Sequence, residues 1–218
     1  MNLTRSTAQP KQAAQKRRSA SNLPIPDTMR IGLFGGSFDP VHQGHLMVAQ
    51  TALEELKLDQ LHLIPAARSP FKSEAPVASD ADRLQMLRAA AAGQPKLKID
   101  LQELERQPPS YAIDTVRQKQ TAFPQAQLYY LVGEDHLETL PKWRDSSALA
   151  KAVTFAVIPR PSQNRPSPPP NYQIAYLKGI PVGISSSLIR ERRQLGLPTQ
   201  HLTPPFVDQI IHDKRLYL

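Results

Sequence analysis

From Met29 onward, short apolar runs alternate with stretches whose apolar residues recur at helical spacing, and that alternation leaves few folds open. Met29–Phe34 reads as a strand that ends in Gly-Gly. Leu46, Ala49, Leu53 and Leu56 then recur with helical period. Leu61–Ile64 is a second strand, and Asp80 is placed to cap a helix carrying Leu84, Leu87 and Ala91. Leu97–Leu101 reads as a third strand, and Ser110 as the cap of a helix through Ile113, Val116 and Arg117. Leu128–Val132, Val153–Ile158 and Gln173–Leu177 give three more strands, and Ser185–Gln194 and Pro205–His212 two more helices. Strands separated by helices predict an α/β fold, a doubly wound parallel sheet covered on both faces. In such a sheet ligands bind beyond the carboxyl ends of the strands, so a site is expected just after Phe34, Ile64, Val132 and Ile158.

Composition narrows the class further. The 218 residues suffice for one sizeable domain, placed at 29–218, preceded by a tail. Residues 1–28 are rich in Ser, Thr, Gln, Ala and Pro, with little to bury, and are expected to form a disordered basic tail. Arg5, Lys11, Lys16, Arg17 and Arg18 lie there with no acid before Asp27. The net charge of +8 is therefore largely a property of the tail. Its composition fits a solvated tail and an organelle targeting segment alike. Cysteine is absent, which excludes disulfides, thiolate catalysis and cysteine-bound zinc. No apolar run approaches the roughly 18 residues of a membrane span. Pro159–Pro170, with six prolines, must be an extended surface loop.

Chemistry concentrates in a few segments. The first strand runs into Gly35-Gly36-Ser37-Phe38-Asp39-Pro40-Val41-His42-Gln43-Gly44-His45. Two glycines allow a sharp turn and close approach to a ligand, and the helix that follows offers N–H groups and a positive dipole end to an anion. His42 and His45, three apart, can face one bound group. Each part also has a plainer reading: a turn, a surface histidine, or two of the ligands of a metal whose third is not evident. Taken together they point to phosphate handling. Further on, Ile184-Ser185-Ser186-Ser187-Leu188-Ile189-Arg190 sets hydroxyls and amides at a helix start, with a forked cation one turn inside.

These two segments resemble the HxGH and ISSTxIR motifs of the nucleotidylyltransferase superfamily, with Ser187 at the usual Thr position. The form GGSFDPVHQGH is similar to that of bacterial nicotinate-nucleotide adenylyltransferases, and the resemblance runs over roughly residues 30–218. Pro108–Thr115 resembles the family's PPSYTIDT segment, with Ala112 replacing Thr. Leu131–Asp135 resembles the segment after the fourth strand, and Leu140–Arg144 the LPxW segment, with Arg144 where an aromatic often follows. Ser69–Lys72 resembles the PPHK loop, with Phe71 replacing its histidine.

The resemblance implies a Rossmann-like fold and transfer of AMP from ATP to nicotinate mononucleotide. It implies catalytic roles for His42, His45, Lys72 and Arg190. It implies ATP contacts from Gly35, Gly36, Ser37, Phe38, Gly133, Asp135, Ile184, Ser185, Ser186 and Ser187. Lys72, Ser110, Tyr111, Ala112, Trp143 and Arg144 are implied to hold the nicotinate nucleotide. Mg²⁺ would be bound through the ATP phosphates, with no metal site of the protein's own. A cytoplasmic enzyme, with no membrane or nucleic-acid partner, is expected, and a homo-oligomer is left open. His62, His136, His201 and His212 match no motif and read as structural or solvent-facing. The alternatives are nicotinamide mononucleotide or another phosphorylated acceptor, and a silent nucleotide-binding sensor. No G-x-G-x-x-G follows a strand, which disfavours an oxidoreductase.

Overall fold

A computed structural model of the chain describes residues 28–68, 74–159, 167–179 and 182–218. The tail expected at 1–28 therefore falls, Thr28 apart, outside the described residues, as do Phe71, Lys72 and most of the proline-rich loop.

Six parallel strands form one sheet: β1 (Arg30–Gly36), β2 (Gln60–Pro65), β3 (Leu97–Ile99), β4 (Gln127–Gly133), β5 (Thr154–Ile158) and β6 (Ile174–Tyr176). Their order is β3-β2-β1-β4-β5-β6. The chain winds outward from β1 in one direction and from β4 in the other, so the switch point lies between these two strands. The helices are α1 (Gln43–Glu55), α2 (Asp80–Ala91), α3 (Ala112–Ala122), α4 (Ser146–Ala152), α5 (Ser186–Gln194) and α6 (Pro205–Asp213). Two cores result, one on each face of the sheet. Leu61, Leu63 and Leu131 turn toward Ala49, Leu87 and Val207 of α1, α2 and α6. Ile31, Leu33, Val132 and Phe155 turn toward Val116 of α3 and Leu149 of α4. Alternate strand residues thus serve opposite cores, which is why the central strands read as continuous apolar runs.

The doubly wound α/β class is as expected from the sequence, and several boundaries are corrected. Ser79 caps α2, its hydroxyl accepting from the amide of Asp82 at 3.1 Å, while Asp80 lies inside the helix. Ser110 does not cap α3: Tyr111 occupies that position, and the Ser110 hydroxyl accepts from the amide of Ala67 at 3.2 Å. The third strand stops at Ile99, because Asp100 turns its carboxylate to the amide of Gln102 and ends the ladder. A 3-10 helix over Glu134–Lys142 and the short α4 were not anticipated. Pro141 and the brevity of both segments hide their period. Among the described residues no helix is long and apolar enough to cross a membrane.

Candidate active site

A cleft of about 850 Å³ opens over the carboxyl ends of β1 and β4, at the switch point. That volume lies within the range of sites for nucleotide-sized ligands. The expected positions after Phe34, Val132 and Ile158 border it, as does Ala66, just beyond the end of β2. So does every site residue named from the sequence that falls among the described residues; Lys72 lies outside them.

One end of the cleft is built by the loop from Gly35 to His42. His42 occupies the N-cap of α1 in extended conformation, and its backbone N–H donates to Nδ1 of His45 at 3.2 Å. A neutral His45 that accepts at Nδ1 carries its proton on Nε2, which makes Nε2 a donor. The two rings stack with centroids 3.7 Å apart, and Phe38 lies 4.9 Å from the ring of His45. A Cβ on Gly44 would stand 3.1 Å from the His42 ring and press on it, so glycine gives that ring room. Phe38, at φ 47°, is fully buried and turns the chain in the left-handed region.

Helix α5 arrives from the far end of the sequence and is stitched to this loop. The Ser185 hydroxyl caps it by accepting from Leu188 at 3.1 Å. The Ser186 hydroxyl donates to the carbonyl of Pro40 at 2.9 Å, and Arg190 Nη1 donates to the carbonyl of Asp39 at 2.8 Å. Neither α1 nor α5 carries an acid in its first turn. Two positive helix ends without an acid in their own first turns therefore meet near the Arg190 guanidinium, a setting that favours an anion.

The other end is apolar and aromatic. Trp143 stands edge-on to Tyr130 at 5.9 Å and to Phe155 at 6.4 Å, half-buried against the second core. Tyr111 lies under the guanidinium of Arg144, 4.6 Å from its ring centre. Arg144 Nη1 also stands 3.8 Å from a carboxylate oxygen of Asp114. Ser110, Tyr111 and Ala112 border the cleft at the N-terminus of α3, whose first N–H groups have no acceptor within the helix. Asp135 and Gly133 also line the cleft.

Several cleft residues escaped the sequence reading, among them Asp39, His136, Tyr130 and Glu103. Asp39 lies inside the first motif, yet its burial could not be seen from spacing. His136, read as structural or solvent-facing, lines the cleft with its ring 6.3 Å from Trp143. Tyr130 comes from the interior of β4, where an aromatic reads as core. Glu103 accepts from the Thr115 hydroxyl at 2.6 Å with Arg106 3.8 Å away. Burial pushes its carboxyl above the ordinary range, against the pull of Thr115, Arg106 and Ser110. His62, by contrast, is structural as expected, buried beside Asp100 at 3.5 Å and away from the cleft.

Residues 33–192 match the cytidylyltransferase-like family. A protein of Shouchella clausii named "probable nicotinate-nucleotide adenylyltransferase" is 40% identical over 86% of this chain and 96% of its own length. One of the same name from Methylacidiphilum infernorum is 38% identical over 88% and 93%. The chain belongs to the nicotinate-nucleotide adenylyltransferase family. The fold of this adenylyltransferase is also that of the nicotinic acid mononucleotide adenylyltransferase of Plasmodium falciparum, solved in complex with NaAD. That match has a TM-score of 0.70 at 20% identity, over 87% of this chain and 97% of the other. In the adenylyltransferase family's terms, the stretch from His42 to His45 and the N-terminus of α5 stand together in space although more than a hundred residues separate them in sequence.

Proposed function

We propose that this chain transfers AMP from ATP to nicotinate mononucleotide, releasing pyrophosphate and giving nicotinate adenine dinucleotide for NAD biosynthesis. The observation that carries this reading is the single cleft with two chemically different ends: helix N-termini, imidazoles and a guanidinium at one, and Trp143, Tyr111 and the start of α3 at the other. The names of the curated relatives support the same reaction.

The acceptor's phosphate attacks the α-phosphate of ATP in line, a P–O bond forms, and the bond to the pyrophosphate leaving group breaks. The nucleophile is already an anion, so no general base is needed, and the protein aligns the groups and offsets charge. His42, His45 and Arg190, with Lys72, hold the triphosphate, and the Nε2 proton of His45 serves as a donor to phosphate oxygen. Among the described residues no three His, Cys, Asp or Glu cluster as a metal cage. Mg²⁺ would be bound through the ATP phosphates, which His42, His45 and Arg190 would hold, and would supply charge neutralisation there.

At the acceptor end the reading favours the acid over the amide. A carboxylate only accepts hydrogen bonds, and the backbone N–H groups at the start of α3 only donate. Hydrogen bonds to a charged group contribute about 1.5–3 kcal/mol, which implies a preference of roughly 10–150-fold. kcat/KM measured for nicotinate and nicotinamide mononucleotides, with ATP in excess, tests this; equal values or a preference for the amide would sink it. Arg144 is half-exposed and shares its charge with Asp114, so Arg144→Ala should leave most of the preference in place.

A further inference from the structure

Beyond the cleft, the C-terminal turn reaches the phosphate-binding loop. The penultimate residue, Tyr217, is buried, and its hydroxyl donates to Oδ1 of Asp39 at 2.8 Å. It holds φ 62°, a backbone region an aromatic residue occupies only when its contacts impose it. Asp39 is itself buried, 3% exposed, inside the loop that carries the histidine motif. The amides of Val77 and Ala78 donate to its two oxygens at 2.7 and 3.1 Å. Arg190 Nη1 stands farther off, 3.9 Å from Oδ2, and spends its short bond on the Asp39 carbonyl.

A buried carboxylate must be answered by donors. Here three neutral donors answer it, so Arg190 is not taken up as its close partner. We propose that Tyr217 is a positioning residue for the triphosphate end of the site: by satisfying Asp39 it leaves the guanidinium of Arg190 available to phosphate. Without the phenol proton, Asp39 would draw Arg190 into a close ion pair and away from the cleft. This rests on the reading of Arg190 as a phosphate ligand.

The test is a double-mutant cycle on the full chain, with kcat and both KM values measured for Tyr217→Phe, Arg190→Ala and the pair. Tyr217→Phe should raise KM for ATP about tenfold, the size expected for a hydrogen bond to a charged group, with KM for nicotinate mononucleotide unchanged. In the Arg190→Ala background the same change should add less than about twofold. A Tyr217→Phe that leaves KM for ATP unchanged, raises both KM values together, or costs as much without Arg190 as with it, overturns the proposal while Arg190 keeps its role. A silent Arg190→Ala overturns the reading of Arg190 and the proposal with it. Should Tyr217→Phe prove too unstable to assay, Asp39→Asn/Tyr217→Phe is compared with Asp39→Asn. Removing the charge should make the tyrosine dispensable for ATP binding, and a remaining ATP-specific penalty would overturn the proposal.

Discussion

His45 shows how one side chain acquires a direction. Its Nδ1 is occupied by the backbone N–H of His42, its ring is stacked on that of His42, and Phe38 closes a third side. With Nδ1 accepting, a neutral ring carries its proton on Nε2, which acts as a donor at the positive end of α1. A donor aimed where phosphate charge grows typically contributes a factor of about 10²–10³ in rate. His45→Ala should therefore lower kcat by roughly that factor with a far-ultraviolet spectrum like the wild type. A folded variant within a few-fold of wild-type kcat would remove His45 from the mechanism. Its neighbour Asp39 was as visible in the sequence, but nothing in the order of residues reveals that four donors from three distant segments converge near it.

At the scale of elements, the edge of the sheet is held by a polar cluster rather than by apolar contact alone. β3 is three residues long, and the residue after it, Asp100, pairs with Lys119 of α3 and with His62 of β2. Burial alone would raise the Asp100 carboxyl, but the bonds from His62, Lys119 and the amide of Gln102 outweigh it and hold the group well below the usual carboxylate range. Such a depressed carboxylate contributes stability that is fully present above its unfolded value, near pH 4, and is lost as pH falls through the lower folded value. Asp100→Asn should then lower Tm by roughly 3–12 °C at neutral pH, from about 1.5–3 kcal/mol of charge-assisted bonding. The gap between variant and wild type should narrow as the pH is taken below about 4. A gap that stays constant, or widens in acid, would show that the ion cluster is not its source. The sequence reading saw the strand here and misjudged its end, since the turn of Asp100 depends on partners from β2 and α3. The same holds for Ser110, whose hydroxyl could have capped α3 but is claimed by the amide of Ala67, more than forty residues upstream.

For the whole molecule, the sheet order places β1 beside β4 and so opens the cleft between the two halves of the chain. Residues 1–28 precede β1 and show no apolar periodicity, and all their cations lie before Asp27. Deleting them should leave kcat and both KM values within about twofold. A large rise in KM for ATP would mean that the segment contributes to the nucleotide site. The alternation of strand and helix, the glycine turn before His42 and the hydroxyl-rich start of α5 were all legible in the sequence, because they depend on steric and hydrogen-bonding preferences that act within a few residues. The stacking of His42 on His45, the entry of Glu103, Tyr130 and His136 into the cleft, and the seating of Tyr217 on Asp39 were decided by the tertiary structure alone. Each depends on which segments the parallel sheet brings side by side, and that is set by burial of the two cores on opposite faces rather than by any local preference of the chain.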